Sequence, residues 1–208
     1  MQEHEYSLLG GINRAKIGRY LGAASALISA AIVFLLLTVV DLAKRYGLPV
    51  NLTPSVLSLV GAGAVYAVLY WIFDQYAWRW PAVAKMLKLP NLAGEWDCIG
   101  KTHNASGDSK YDWNGVVTII QSWDKLRVRV KTESSGSNSI AAALSYDAAD
   151  GYILLYHYHN DPNIDQLELA PHQGYASITF APDQQTGKGE YFNGRGRITF
   201  GTMELRRR

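Results

Sequence analysis

The sequence has little of what most enzymes, secreted proteins and nucleic-acid binders need. A single cysteine, Cys98, excludes an intramolecular disulfide and suits a reducing compartment. No Gly-x-Ser-x-Gly turn, paired catalytic carboxylate site or phosphate-cradling glycine loop occurs, so the sequence offers no catalytic residues and points away from an enzyme. No cofactor motif is present either. A general basic face is missing as well. Residues 1–90 hold 8 Lys+Arg and 4 Asp+Glu, whereas residues 91–208 hold 12 and 14. A slightly acidic second part does not suit a binder of DNA or RNA polymers, which must neutralise phosphates. Charge is absent altogether from Tyr20 to Val40, a run of 21 residues. The run is long for a signal peptide and no small-x-small cleavage site follows Val40, which favours a membrane anchor over a cleaved signal peptide.

What is present divides at Leu89-Pro90-Asn91, where a proline followed by asparagine interrupts a helix. Residues 1–90 read as an N-terminal membrane domain. At about 1.5 Å per residue, the segment 20–40 crosses a hydrocarbon core of about 30 Å. A second span is expected over 56–73, opened by Pro54-Ser55 and closed by Asp74. Tyr66, Tyr70, Trp71, Tyr76, Trp78 and Trp80 crowd its C-terminal end as an interfacial aromatic belt. Arg14, Lys16 and Arg19 precede the first span, and Arg79, Lys85 and Lys88 follow the second. The connecting loop holds Lys44 and Arg45. This asymmetry predicts a two-span membrane protein with both termini in the cytoplasm. Gly18, Gly22, Ala26 and Ala30 lie four apart on the first span. Such small residues let backbones approach, either within the hairpin against Gly63 and Ala67 or between chains by self-association.

Residues 91–208 show no long helical period. Short alternating segments separated by turn residues predict eight strands, at 94–103, 113–123, 125–134, 137–147, 151–160, 172–181, 187–195 and 200–207. Eight strands in sequence suggest an all-β, antiparallel up-and-down barrel, with a sandwich as the alternative. A barrel of that size holds side chains and at most one small ligand, so its open end matters most.

Candidate ligand contacts are polar and aromatic residues near strand ends. They are Gln121 and Trp123, Thr132 and Ser134, Tyr156, Tyr158 and Asn160, and Tyr191, Asn193 and Arg195. Aromatic faces stack bases, Arg holds phosphate, and Asn or Gln reads base edges. Arg195 is the expected phosphate contact. His157 and His159 share a strand face but have no recognisable third ligand, so no metal site is assigned. Cys98 alternates with Trp96 and reads as core. A tethered, lipocalin-like carrier or structural module for an apolar ligand, without toxicity, is the rival reading.

A set of motifs follows the membrane hairpin in order. These are Leu92-Ala93-Gly94-Glu95-Trp96-Asp97-Cys98, Ile119-Ile120-Gln121-Ser122-Trp123, Tyr156-His157-Tyr158-His159-Asn160-Asp161-Pro162, His172-Gln173-Gly174, Gly189-Glu190-Tyr191-Phe192-Asn193-Gly194-Arg195, and Gly201-Thr202-Met203-Glu204-Leu205-Arg206. The sequence thereby resembles the SMODS-associating two-transmembrane, β-strand-rich effectors of bacterial CBASS anti-phage immunity. The resemblance implies an eight-stranded cytoplasmic barrel that binds a cyclic dinucleotide made by a partner nucleotidyltransferase. It further implies ligand-induced homo-oligomerisation in the lipid bilayer, disruption of the inner membrane and death of the infected cell.

Overall fold

A computed structural model describes residues 3–166, 168–194 and 197–208. The chain divides into two compact units. One is Ile12–Trp78; the other combines the described residues up to Gly11 with Arg79–Arg208.

The first unit is a helical hairpin. Helix α1, Arg14–Arg45, starts where the Asn13 side chain accepts a hydrogen bond from the Ala15 N–H at 2.8 Å. It ends with Lys44 and Arg45 in its last turn, where cations suit the helix dipole. The second expected span is not one helix. It comprises α2, Pro54–Leu59, and α3, Ala62–Gln75. Glycines at 61 and 63 weaken helix propagation at this point. The break leaves backbone groups in need of partners inside an apolar span. Ser29 of α1, buried in the hairpin, donates its hydroxyl to the Val60 carbonyl at 2.6 Å.

The small-residue stripe splits across this hairpin. Gly18 and Gly22 are half-buried, whereas Ala26 and Ala30 are exposed. Residues four apart advance about 400°, so such a stripe drifts by about 40° at each step and leaves a straight seam. A Cβ on Gly18 would sit 3.6 Å from the Tyr66 hydroxyl, while one on Gly22 or Gly63 would meet nothing within 4 Å. Gly63 and Ala67 are exposed, and α3 half-buries Tyr66, Leu69 and Tyr70. The expected packing of small residues against Gly63 and Ala67 is therefore replaced by larger side chains filling the seam.

The second unit is a closed β-barrel. Strands β2 (Gly94–Asn104), β3 (Ser109–Gln121), β4 (Lys125–Thr132), β5 (Ser135–Asp147), β6 (Gly151–Pro162), β7 (His172–Phe180), β8 (Thr186–Gly194) and β9 (Thr199–Arg207) follow one another in sequence. Each pairs antiparallel with the next, and β9 returns to β2 from Trp96↔Arg207 to Asn104↔Thr199. These are the eight strands anticipated from the alternation.

A ninth strand was not anticipated. β1, His4–Leu9, runs antiparallel to β4 at His4↔Leu126 and parallel to β5 from Tyr6↔Ala142 to Leu9↔Ser145. It fills the gap below the three β4–β5 pairs, Arg129↔Asn138 to Lys131↔Gly136, where a bulge between Ser139 and Ala141 turns β5 aside. Ser139 anchors the junction: its hydroxyl accepts from the Val128 N–H at 2.9 Å and lies 2.7 Å from His4 Nε2.

The other departure is at the boundary. Leu87, at the end of α4 (Pro81–Leu87), and Leu89 and Leu92 beyond it are all buried. The segment around Pro90 thus plugs one barrel rim instead of separating two domains. Trp96, Phe180 and Leu126 complete the plug, with Trp96 and Phe180 rings edge-on at 5.0 Å. Arg207 closes it, with its guanidinium 5.0 Å from the Trp96 ring and donating to the Ala93 carbonyl at 2.6 Å.

Candidate functional site

In an up-and-down barrel, successive strands end at opposite rims. The C-terminal ends of β2, β4, β6 and β8 therefore gather at the rim away from the plug. A cavity of about 100 Å³ opens there, lined by residues that include Thr132, Ser134, Tyr156, Tyr158, Asn160, Tyr191 and Asn193. Seven of the sequence candidates thus converge. Arg195 lies outside the described residues.

Gln121 and Trp123 do not join them. Gln121 ends β3 and Trp123 follows it, one strand out of phase with the ends of β4 and β6, so both belong to the plugged rim. Gln121 is buried, with its side-chain oxygen accepting from the Leu92 N–H at 2.9 Å and its amide donating to the Pro90 carbonyl at 3.0 Å. Arg79 donates to the Gln121 backbone carbonyl at 2.8 Å. These bonds secure the plug. Trp123 is buried at 1% exposure, out of reach of a ligand.

Three glycines make room for the aromatic side chains of the mouth. Cross-strand pairing sets Gly100 beside Trp113, Gly174 beside Tyr158 and Gly201 beside Tyr191. A Cβ on Gly100 would fall 2.1 Å from Trp113, one on Gly174 2.4 Å from the Tyr158 hydroxyl, and one on Gly201 2.7 Å from the Tyr191 ring. Each ring therefore lies across a glycine backbone, a placement that any larger residue would deny it. This accounts for the glycines in the His172-Gln173-Gly174 and Gly201-Thr202-Met203 motifs.

Polar bonds then fix the rings. The Tyr191 hydroxyl lies 2.6 Å from Thr102 Oγ1 and accepts from Trp113 Nε1 at 3.0 Å. The Tyr158 hydroxyl donates to Asn193 Oδ1 at 2.7 Å, and Asn193 Nδ2 donates to Thr199 Oγ1 at 2.8 Å. Asn160 Nδ2 donates to Ser135 Oγ at 3.1 Å, while its buried Oδ1 accepts nothing. Burial pushes the phenols of Tyr156, Tyr158 and Tyr191 above the usual tyrosine range, so they stay neutral.

Among the described residues, the lining holds one guanidinium, Arg197, and no carboxylate. The Arg197 guanidinium donates to the Tyr111 hydroxyl and lies 5.8 Å from that ring. Sequence reading passed over Tyr111, Trp113 and Arg197. The two aromatics sit near the start of β3, where only the pairing with β2 brings them to the mouth. Arg197 follows Arg195 in the Gly194-Arg195-Gly196-Arg197 run, whose repeated Gly-Arg was the available signal.

His172 also lines the mouth. Burial holds its imidazole below the ordinary 6.5, with the nearby Arg197 charge acting in the same direction, against an opposing hydrogen bond to the Ala170 carbonyl. Its neutral form is therefore the stabilised one. That contribution is full above the unfolded value and is lost as pH falls toward the lowered folded value. The melting temperature of the full chain in detergent should fall between about pH 7 and pH 5, and His172→Asn should flatten that slope. An unchanged slope would show that His172 does not couple protonation to folding.

Cys98 is buried in the barrel, and burial pushes its thiol up to about 12, leaving it protonated and unreactive. His157 faces outward, and His159 bonds Asp161 at 2.9 Å. No cluster of three His, Cys, Asp or Glu side chains able to hold a metal occurs among the described residues.

The mouth is thus a small, neutral, hydroxyl- and amide-rich cup with aromatic walls and an arginine at its lip. Two family models match the helical hairpin and the barrel from β2 onward in turn. The model for Cap15 TM helices matches residues 15–79, and that for the Cap15 cyclic dinucleotide receptor domain matches residues 87–207. CD-NTase-associated protein 15 of Yersinia aleksiciae is 40% identical over 207 residues, covering 100% of this chain and 98% of that protein. With both of its parts matched and a relative similar along its entire length, the chain belongs to the Cap15 family of CBASS effectors, which join transmembrane helices to a cyclic dinucleotide receptor domain.

Proposed function

We propose that the barrel mouth receives a cyclic dinucleotide made by a partner nucleotidyltransferase. Binding then promotes assembly of the membrane helices and loss of inner-membrane integrity, without catalysis by this chain. The observation that carries the reading is the mouth's chemistry. One arginine, neutral phenols and no carboxylate among the described lining residues favour a ligand that is anionic and aromatic. Asn160 Oδ1, buried without a partner, offers a base N–H an unused acceptor. Leaving such an acceptor unmet costs about 1–3 kcal/mol, which a ligand donor would recover. An apolar cargo would leave Asn160 Oδ1 unmet and cover the Arg197 charge without pairing it, which speaks against the carrier reading.

Size limits the pose. The cavity of about 100 Å³ is well below the roughly 300–1,000 Å³ of pockets that enclose drug-sized ligands. One base enters the cup, with the phosphates at the lip near Arg197 and the remainder across the rim or against a second barrel. The test is thermal stabilisation of the full chain in detergent across a panel of cyclic dinucleotides. The full chain is needed because residues 4–9 supply one of the barrel strands. A shift with at least one member is expected; no shift with any would remove the receptor reading.

The same reading places both termini in the cytoplasm, supported by the Lys and Arg asymmetry around the two spans. A phosphatase that is active only in the periplasm should work when fused at Gly47 and fail at Arg208. Activity at Arg208 would separate the barrel from any cytoplasmic messenger.

A further inference from the structure

The outer wall of the barrel carries an aromatic row with no role inside the mouth. Phe192 and Phe200 pair across β8 and β9 and are 56% and 44% exposed. Tyr175 flanks Phe192 at 5.5 Å between ring centroids, and His103 stacks on Phe200 at 5.6 Å. Below this row the same two strands turn outward Glu190 opposite Thr202, Lys188 opposite Glu204, and Thr186 opposite Arg206.

We infer that this β8–β9 face docks against the same face of a second copy of the chain, about a two-fold axis running parallel to the strands between them. Such an axis sets each β8 residue against the partner copy of its own β9 neighbour. Phenylalanine then meets phenylalanine, Glu190 meets the hydroxyl of Thr202, Lys188 meets the Glu204 carboxylate, and Thr186 meets the Arg206 guanidinium. Every pair is compatible. Within one barrel Lys188 and Glu204 already lie 3.2 Å apart, so the two copies would build a four-membered charge network. An axis across the strands at the Glu190 row would instead press each phenylalanine against a charge. The two-fold along the strands also leaves both mouths open on one side and both plugged rims on the other. Leu9 and Arg79, near the ends of the barrel unit's two segments, lie at the plugged rim in both copies.

Area decides how strong this contact is. Half-exposed aromatics and their neighbours offer roughly 500 Å² a side, below the about 800 Å² per partner of a stable soluble complex. The face is therefore silent in dilute solution and acts when chains are concentrated in a membrane. This inference rests on the reading of the chain as an effector that assembles, and it names the surface and the partner.

The test is energy transfer between donor- and acceptor-tagged full-length chains in proteoliposomes, at rising protein-to-lipid ratio and without nucleotide. Wild-type transfer should rise with density. Phe192→Ser together with Phe200→Ser should require about tenfold or more higher density. Lys188→Glu sets a second carboxylate beside Glu204, and Glu204→Lys sets a second ammonium beside Lys188. Each alone should associate poorly with itself, whereas a mixture of the two should recover transfer, because acid then faces base across the contact. A pair acting only within one barrel could not produce that recovery. Wild-type-like transfer in the variants, or no recovery on mixing, would overturn this surface, assign the face to another occupant and leave assembly standing. Absence of transfer in the wild type at every density would overturn the inference and weaken the assembly reading together.

Discussion

Replacing Arg197 with Ala is expected to weaken cyclic dinucleotide binding by roughly 10- to 150-fold, the equivalent of the about 1.5–3 kcal/mol of a charge-assisted hydrogen bond. The expectation follows from the composition of the lip. Arg197 is the guanidinium placed among the described lining residues, and no lining carboxylate competes for it. Tyr111 holds it by accepting a hydrogen bond and offering its ring. Arg197→Lys should recover little, because an ammonium lacks the planar fork that meets two phosphate oxygens. Tyr158→Ala should cost a stacking contribution of about 1–3 kcal/mol and also release Asn193 from the Tyr158 hydroxyl. Tyr158→Phe keeps the ring while removing that bond, which separates stacking from positioning. Titration calorimetry on the full chain reads all four variants. Wild-type affinity in Arg197→Ala would move the phosphate contact elsewhere on the rim, without removing the receptor function.

Ala26→Leu is expected to abolish ligand-induced permeabilisation while leaving nucleotide affinity unchanged. The reasoning starts from lipid tails, which are as apolar as leucine, so hydrophobicity gives membrane helices little cause to associate. Small residues that let backbones approach supply the attraction. Within the stripe, Ala26 and Ala30 are exposed while Gly18 turns toward Tyr66. A leucine at position 26 therefore leaves the hairpin seam alone and favours membrane insertion, yet it pushes away any neighbouring helix. Dye release from proteoliposomes, on addition of the cyclic dinucleotide giving the largest thermal shift, is the measurement. Release at wild-type levels would mean that the exposed alanines face lipid in the assembled state. Lost nucleotide binding would mean that the two units are coupled more tightly than proposed.

Several features could be read without coordinates because they are local and periodic. The uncharged run from Tyr20 to Val40 needs only length and composition to declare a span. Alternation with a period of two exposes strands one at a time, and turn residues such as Asp150-Gly151 mark where each ends. Those signals sufficed for eight strands in order, and for the polar residues of β4, β6 and β8 that do meet at one rim. They failed where a residue's role depends on what lies across from it. Gln121 and Tyr158 are both polar-edged residues near strand ends, but one serves the plug and the other the mouth. The difference is the phase of antiparallel strands around a closed ring. β1 was invisible for a related reason: six residues ahead of a helix carry too little alternation to stand out, and the gap they fill exists only because a bulge turns β5 away from β4.

By itself, then, the sequence determined two apolar spans, an alternating strand-rich remainder and its division of charge, since each is a property of residues near one another in the chain. Tertiary structure alone decided three other things. It set Gly100, Gly174 and Gly201 beneath the rings of Trp113, Tyr158 and Tyr191. It turned Ala26 out of the seam that holds Gly18, and it brought Tyr111 from β3 to Arg197 ahead of β9. These depend on register, on closure of the ring and on helix packing, which bring together residues from 10 to 86 positions apart in the sequence, at separations no local pattern encodes.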